Sequence, residues 1–445
     1  MGEFSCLWAL LIVVITICIY KIIKPLINGK KNRLVWLVLA ISICVYSGIG
    51  IAYSNVKKVN IFYYIIYLTI LGFSFSVFCY LHFYSVGHHP YACKRPEEIE
   101  TSDEDFWNAD FTSKVFIFVF FVYFLFRFAS LIYPENKLSS LSLTYDAVNN
   151  LKNISGENTT IFVSLAAYTR PFAYIGMYYA FKRVRYVAIF LFADIFITLL
   201  YSGYLSRSYI ICVLFIVLML YFNNDLSDDF LSLNTRRRRI VLTLGILTPI
   251  VIYIMIFLMT IRTTGNTHWT VLSFFSSEID YPKYYDSLKP LEGTIISPKD
   301  MLLHILDSFV PIIPTPKYTG NFNVLFSERI SGVSMKLSWF NVFLPSILGE
   351  ARIIFGDSLF WIHAIIIAFM SSMITRIVGD NQKMIILYYY FLTCVMKAAR
   401  AGYAEISSTI MFDIIIIDFF IWLLKAFYYS AVVRGRYYDP SKLRN

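Results

Sequence analysis

Charge is scarce in this chain. Asp, Glu, Lys and Arg make up 15% of its 445 residues, against about 25% in soluble domains. Polar stretches of domain size are also missing, because apolar runs near the spanning length of about 20 residues recur from one end to the other. A chain that is 58% hydrophobic with a mean hydropathy of +0.62 is excluded from the soluble enzymes and binding modules. Its apolar runs must be helical, since lipid offers no partner for backbone polar groups.

Other absences narrow the chemistry. There is no Walker A loop, no G-x-G-x-x-G opening a helix, no H-E-x-x-H and no paired C-x-x-C, and no G-x-S-x-G elbow. Nucleotide-driven, dinucleotide-dependent, zinc-protease and serine-hydrolase readings therefore have no motif to stand on. His88, His89 and Cys93 lack a fourth metal ligand in good spacing. Of the seven cysteines, Cys93 lies in a connection and the others in apolar runs. Residues 262–355 hold none, so no disulfide framework is expected there. The first apolar run has neither a basic flank before it nor a small-residue cleavage site after it, and reads as a span.

What is present is an all-α polytopic membrane protein. Spans are expected at 4–23, 34–53, 61–83, 114–133, 161–181, 187–202, 208–222, 240–261, 356–376, 384–400 and 404–424, about eleven with a range of 10–12. They divide the chain into an N-terminal membrane bundle (1–261), one large loop outside the lipid (262–355) and a C-terminal bundle with a basic tail (356–445). The net charge of +10 flanks the spans and is a topology signal with the lipid bilayer as its partner, not a nucleic-acid surface. The connections 20–33, 84–114, 182–185, 223–239 and 376–383 and the tail 425–445 gather more than half of the Lys and Arg, which places them and the C-terminus in the cytoplasm. Arg236-Arg-Arg-Arg239 is the clearest marker and reads as a headgroup anchor. The long loop then faces the opposite side. Within it, Ser297-Pro-Lys-Asp300 supplies an N-cap, a proline at the first helical position and a carboxylate at the third, so a helix is expected to start there.

Charges inside spans are expensive and mark functional candidates. Arg127, Arg170 and Asp194 are such charges, and Arg170 with Asp194 is one expected pairing. Arg207 opens a helix at its outer end, where free N–H groups and the helix dipole already favour an anion. Arg262 closes a span on the same side. Thr393, Lys397 and Arg400 share one helix face, as do Glu405, Thr409 and Asp413. Snorkelling toward headgroups is the plain alternative for each terminal cation. Several outer-face arginines suit a lipid-linked pyrophosphate, since guanidinium forks bind phosphate oxygens bidentately and stay charged. A sugar acceptor needs aromatic faces, hydroxyl-binding carboxylates and a base. The acidic and aromatic run around Tyr281, with Glu350, His268 and Glu405, provides those residue types. Glu350 has a plainer reading as the ion-pair partner of Arg352.

The chain resembles the Wzy-type O-antigen polymerases, the oligosaccharide repeat-unit polymerases. The resemblance rests on Ser206-Arg207-Ser208 after Gly203, Arg262 before the large loop, Leu344-Pro-Ser-Ile-Leu-Gly-Glu350 followed by Phe355-Gly356, and Arg400-Ala-Gly402. It implies a GT-C-like glycosyltransferase of the bacterial inner membrane with a periplasmic loop. Such an enzyme moves a growing glycan from undecaprenyl pyrophosphate to an incoming undecaprenyl-pyrophosphate-linked oligosaccharide, with no metal or nucleotide cofactor. A chain-length regulator protein is a partner that it allows. Carried onto this sequence, Glu350, Arg207 and Arg262 are the expected catalytic residues, and Arg170, Arg352, Lys397, Arg400, Glu405 and Tyr281 the expected substrate-binding ones. A flippase of the same lipid-linked glycan and an O-antigen ligase are the alternatives; the absence of an internal repeat weighs against the first.

Overall fold

The computed structural model describes residues 5–53, 57–87, 103–132, 161–181, 183–202, 207–223, 297–302, 344–378, 381–403 and 412–437, with isolated positions 249, 253 and 327. Every regular element among them is helical. The helices are α1 (Cys6–Ile23), α2 (Lys30–Ile43), α3 (Lys57–Gly87), the short α4 (Asp103–Asn108), α5 (Asp110–Ile132), α6 (Ile161–Ala180), α7 (Val184–Ser202), α8 (Arg207–Asn223), α9 (Ser346–Val378), α10 (Ile385–Ala401) and α11 (Phe412–Tyr437).

Seven helical stretches among the described residues are long and apolar enough to cross a membrane, the architecture of a multi-pass membrane protein. Six fall on the spans expected near 4–23, 34–53, 61–83, 114–133, 356–376 and 384–400; the seventh, Asp413–Ala431, overlaps the expected 404–424 and runs on into the segment expected to be the tail. Helices α6, α7 and α8 coincide with the expected 161–181, 187–202 and 208–222, and the expected span 240–261 lies outside the described residues.

Two of these spans are less regular than their apolar pattern suggests. The span after Lys30 is α-helical only to Ile43; a π turn, Cys44–Gly48, and a 3-10 stretch, Ile49–Tyr53, complete it. The span expected from residue 356 begins ten residues earlier. Gly356 has φ 69° and ψ 176°, values outside the helical region, and splits α9 into a half-helix of residues 346–355 and a longer arm. Only glycine takes that conformation without a Cβ penalty. Residues 346–355 are thus a packed helical piece, mostly buried, where the sequence suggested the end of an extramembrane loop.

Apolar side chains face two ways. Leu7, Phe118, Phe121, Phe192, Phe196, Phe419 and Trp422 point outward and are exposed, as lipid-facing positions are. Helix α10 is the opposite case. It is buried from Ile385 through Val395 and packs against α2, α6, α8 and α9. A helix buried on every side over such a stretch belongs in the core of a bundle. Its three consecutive tyrosines reach three neighbours: Tyr388 donates to the Lys31 carbonyl (2.8 Å), Tyr389 accepts from Asn223 (2.6 Å), and Tyr390 lies 5.0 Å from the Tyr174 ring.

Helices α5 and α6 approach closely where Gly176 faces the Phe116 carbonyl, a place that a Cβ would overlap. Small residues at such crossings let backbones pack without a hydrophobic driving force. Phe116 stacks on Tyr179, whose hydroxyl donates to the Trp107 carbonyl at 2.7 Å. Phe172 meets Phe420 of α11 at 4.7 Å. On the other side of the bundle, α3 and α9 are joined through Tyr63 with Phe360 and Phe78 with Phe369.

Candidate functional site

The half-helix of α9 carries a group of buried polar side chains, Ser346, Glu350 and Arg352. At its start, Ser346 holds φ 60°, the left-handed region that costs a non-glycine residue energy. Its hydroxyl accepts from Ser47 at 3.0 Å, and Ser47 sits in the π turn of α2. π turns inside helices are frequent at functional sites, and backbone strain clusters there as well.

One turn further on, Glu350 is fully buried. Its Oε2 accepts the backbone N–H of Tyr403 at 2.7 Å and lies 3.3 Å from His363 Nε2, while among the described residues neither Oε1 nor His363 Nε2 has a hydrogen-bond partner. His363 Nδ1 in turn lies 2.9 Å from the Tyr67 hydroxyl of α3. The carboxylate rests against Gly402, whose φ of +94° and missing Cβ are both required, because an added Cβ would overlap the carboxylate oxygens. Two sequence motifs about fifty residues apart therefore meet at atomic contact: the segment ending in Glu350 and Arg400-Ala-Gly402. The plain reading of Glu350 as the partner of Arg352 is replaced by His363.

Arg352 is engaged elsewhere. Its Nε donates to Asp357 at 2.7 Å, a second donor meets the same carboxylate, and Nη1 reaches Asn60 Oδ1 at 3.2 Å. Its guanidinium lies 3.9 Å over the Tyr63 ring. Arg352 and Asp357 straddle Gly356, so the pair clamps the break in α9 onto α3.

The long loop touches this region. Residues 298–302 are helical, starting where the sequence suggested, and Asp300 N–H donates to Ser297 Oγ (3.3 Å) while Ser297 N–H donates back to Asp300 (3.0 Å), a reciprocal cap. Met301 is buried in the core and Asp300 acts electrostatically on Tyr403.

A second buried polar group joins α5 and α7. Arg127 Nε donates to Asp194 at 2.6 Å and the Tyr123 hydroxyl donates to its other oxygen at 2.7 Å. Asp194, expected opposite Arg170, has Arg127 as a defined partner. Arg170 acts electrostatically on Tyr123 of α5, Tyr390 of α10 and Asp413 of α11.

The other expected site residues divide into two sets. Lys397 and Arg400 lie half-buried in the last turns of α10, Arg400 two residues before Gly402. Arg207 is the first residue of α8, as its motif suggested. Arg262, Tyr281 and Glu405 lie outside the described residues, as does His268. Sequence reasoning missed Tyr67, His363, Asn60 and Asp357. His363 carried a usable signal, an ionisable residue inside an apolar run; Tyr67 carried none, being one of 34 tyrosines. Among the described residues no three His, Cys, Asp or Glu stand together as metal ligands would.

No family model, curated protein or solved structure matches this chain.

Proposed function

We propose that this protein is a membrane-embedded glycosyltransferase of the Wzy type, elongating a glycan carried on undecaprenyl pyrophosphate with lipid-linked repeat units at the periplasmic face of the inner membrane. The observation that carries this reading is the meeting of Glu350 with Gly402, which joins a buried carboxylate to the helix end bearing Lys397 and Arg400.

The roles follow from charge. In glycosyl transfer an acceptor hydroxyl attacks the anomeric carbon, its proton passes to a base, and the sugar–phosphate bond breaks with the electron pair leaving on pyrophosphate. A carboxylate with one oxygen held and the other without a hydrogen-bond partner among the described residues suits the base. Guanidinium and ammonium groups on Arg207, Arg262, Lys397 and Arg400 suit the leaving group, whose growing charge is the main electrostatic demand of the step. Arg170, Glu405 and Tyr281 remain candidates for binding the substrate, and Arg352 supports Glu350 by fixing the kink.

The test is incubation of the purified protein in liposomes with the undecaprenyl-pyrophosphate-linked repeat unit from its own source, followed by gel separation of the glycans. A ladder spaced by one repeat is expected, with Glu350→Gln slower by about a hundredfold or more, the scale of a positioned base. Intact substrate throughout would overturn the reading. Adding a lipid-core acceptor would identify a ligase, and labelled substrate crossing the bilayer would identify a flippase.

A further inference from the structure

We propose that Tyr67 and His363 are positioning residues for Glu350: the tyrosine hydroxyl selects one imidazole tautomer, the imidazole stands against carboxylate Oε2 and biases it electrostatically, and Oε1 is left for a sugar hydroxyl. The inference rests on the proposed role of Glu350 as the base.

The geometry is that of a linear chain. Tyr67, His363 and Glu350 are all fully buried, and the chain runs from Tyr67 oxygen to His363 Nδ1 (2.9 Å) and from Nε2 to Glu350 Oε2 (3.3 Å). Among the described residues the only further polar contact to these side chains is the Tyr403 N–H on Oε2. Proton placement follows from counting donors. Were Nδ1 protonated, the Tyr67 hydroxyl hydrogen would have no acceptor, and the Nε2 lone pair would face the lone pairs of an ionised carboxylate. With Tyr67 donating to Nδ1, Nε2 carries its hydrogen beside Oε2, 3.3 Å away, a contact of ion-pair length without hydrogen-bond geometry. A neutral imidazole fixed in this way orients the carboxylate without adding a charge that would compete for the incoming proton. Second partners of this kind fix tautomer and orientation in other active sites.

The rings are locked as well. Tyr67 stacks near Phe360 at 6.5 Å, and the His363 ring lies between Tyr67 and Phe355, with centroids at 6.1 and 6.2 Å. Phe355 and His363 stand on opposite sides of the Gly356 break, so the kink in α9 folds the imidazole toward the half-helix that carries Glu350. A purely structural trio would need only burial and satisfied hydrogen bonds; among the described residues this one leaves both Glu350 Oε1 and His363 Nε2 without a hydrogen-bond partner.

Two measurements on the full chain in liposomes test the inference. Nitrogen-15 spectra of histidine-labelled protein, assigned by difference against His363→Gln, need no substrate. They should show His363 neutral, with Nε2 protonated and Nδ1 bare, and Tyr67→Phe should convert it to a mixture of tautomers. A protonated Nδ1 in the unmodified protein, or a spectrum unmoved by Tyr67→Phe, would overturn the proposal. In the elongation assay, Tyr67→Phe should lower kcat by about tenfold to a hundredfold, less than loss of the base itself, with KM within about twofold. His363→Gln, which keeps an N–H near Oε2, should be faster than His363→Leu. Unmodified turnover in Tyr67→Phe would overturn the positioning role while leaving the polymerase reading intact. An inactive unmodified protein would overturn that reading, and the positioning role with it, whatever tautomer the spectra show.

Discussion

A single missing methyl at Gly402 keeps Glu350 where it is. Gly402→Ala meets two obstacles, a φ of +94° and overlap with the carboxylate, whereas Gly29→Ala meets only a φ of +81° with its nearest neighbour 3.6 Å away. Backbone strain alone in this glycine-only region costs about 1–3 kcal/mol. Thermal unfolding in detergent should therefore show Gly29→Ala shifted by that amount and Gly402→Ala by more, and only the second should lose elongation. Equal shifts with equal activity would mean that the contact with Glu350 is unimportant. At this scale the sequence was informative about Glu350 and Gly402 as motif members but not about their contact. Nothing in a one-dimensional pattern says that a glycine at residue 402 exists to make room for a side chain at residue 350.

At the scale of elements, the cap at Ser297 was legible because its determinants are local: a hydroxyl, a proline and a carboxylate within four residues. The Ser297 hydroxyl, and after it the Ser297 N–H, hold the Asp300 carboxyl below its ordinary value of 3.8. A lowered value in the folded state means that the stabilisation is complete above the ordinary value and is lost as pH falls through the shifted one. Hydrogen exchange of the amides in residues 298–302 should therefore rise, relative to amides of α10, only below about pH 4, and Asp300→Asn should raise it already at neutral pH. A flat ratio between pH 7 and pH 3 would show that the cap does not hold this turn. The break in α9 was not legible, since its cause is tertiary. Gly356 permits the kink, but the clamp of Arg352 on Asp357, Asn60 and Tyr63 fixes it, and Asn60 stands 292 positions away in the chain.

Across the whole molecule, hydropathy placed nearly every described helix, because lipid imposes length and composition on each one separately. The pairing of buried charges escaped it. Arg127 and Asp194 lie 67 positions apart, with side chains only 4% and 1% exposed, so removing one partner strands the other. Asp194→Leu alone should lower stability by about 3–5 kcal/mol, and adding Arg127→Met should recover most of that loss. Unfolding in detergent measures both. No recovery in the double variant would show that Asp194 answers chiefly to another cation, with Arg170 the first to examine through its effect on Tyr123.

The sequence separations inside the Glu350 cluster also set an order of assembly. Tyr67 is translated 296 positions before His363, and the Tyr403 N–H that completes the carboxylate's binding comes 53 positions after Glu350. At about 5–20 residues per second, a nascent α3 waits roughly 15–60 s in the bilayer with a tyrosine hydroxyl that has not met its acceptor. During synthesis the early helices are a membrane protein without a carboxylate cluster, and the cluster closes only when the end of α10 has left the ribosome.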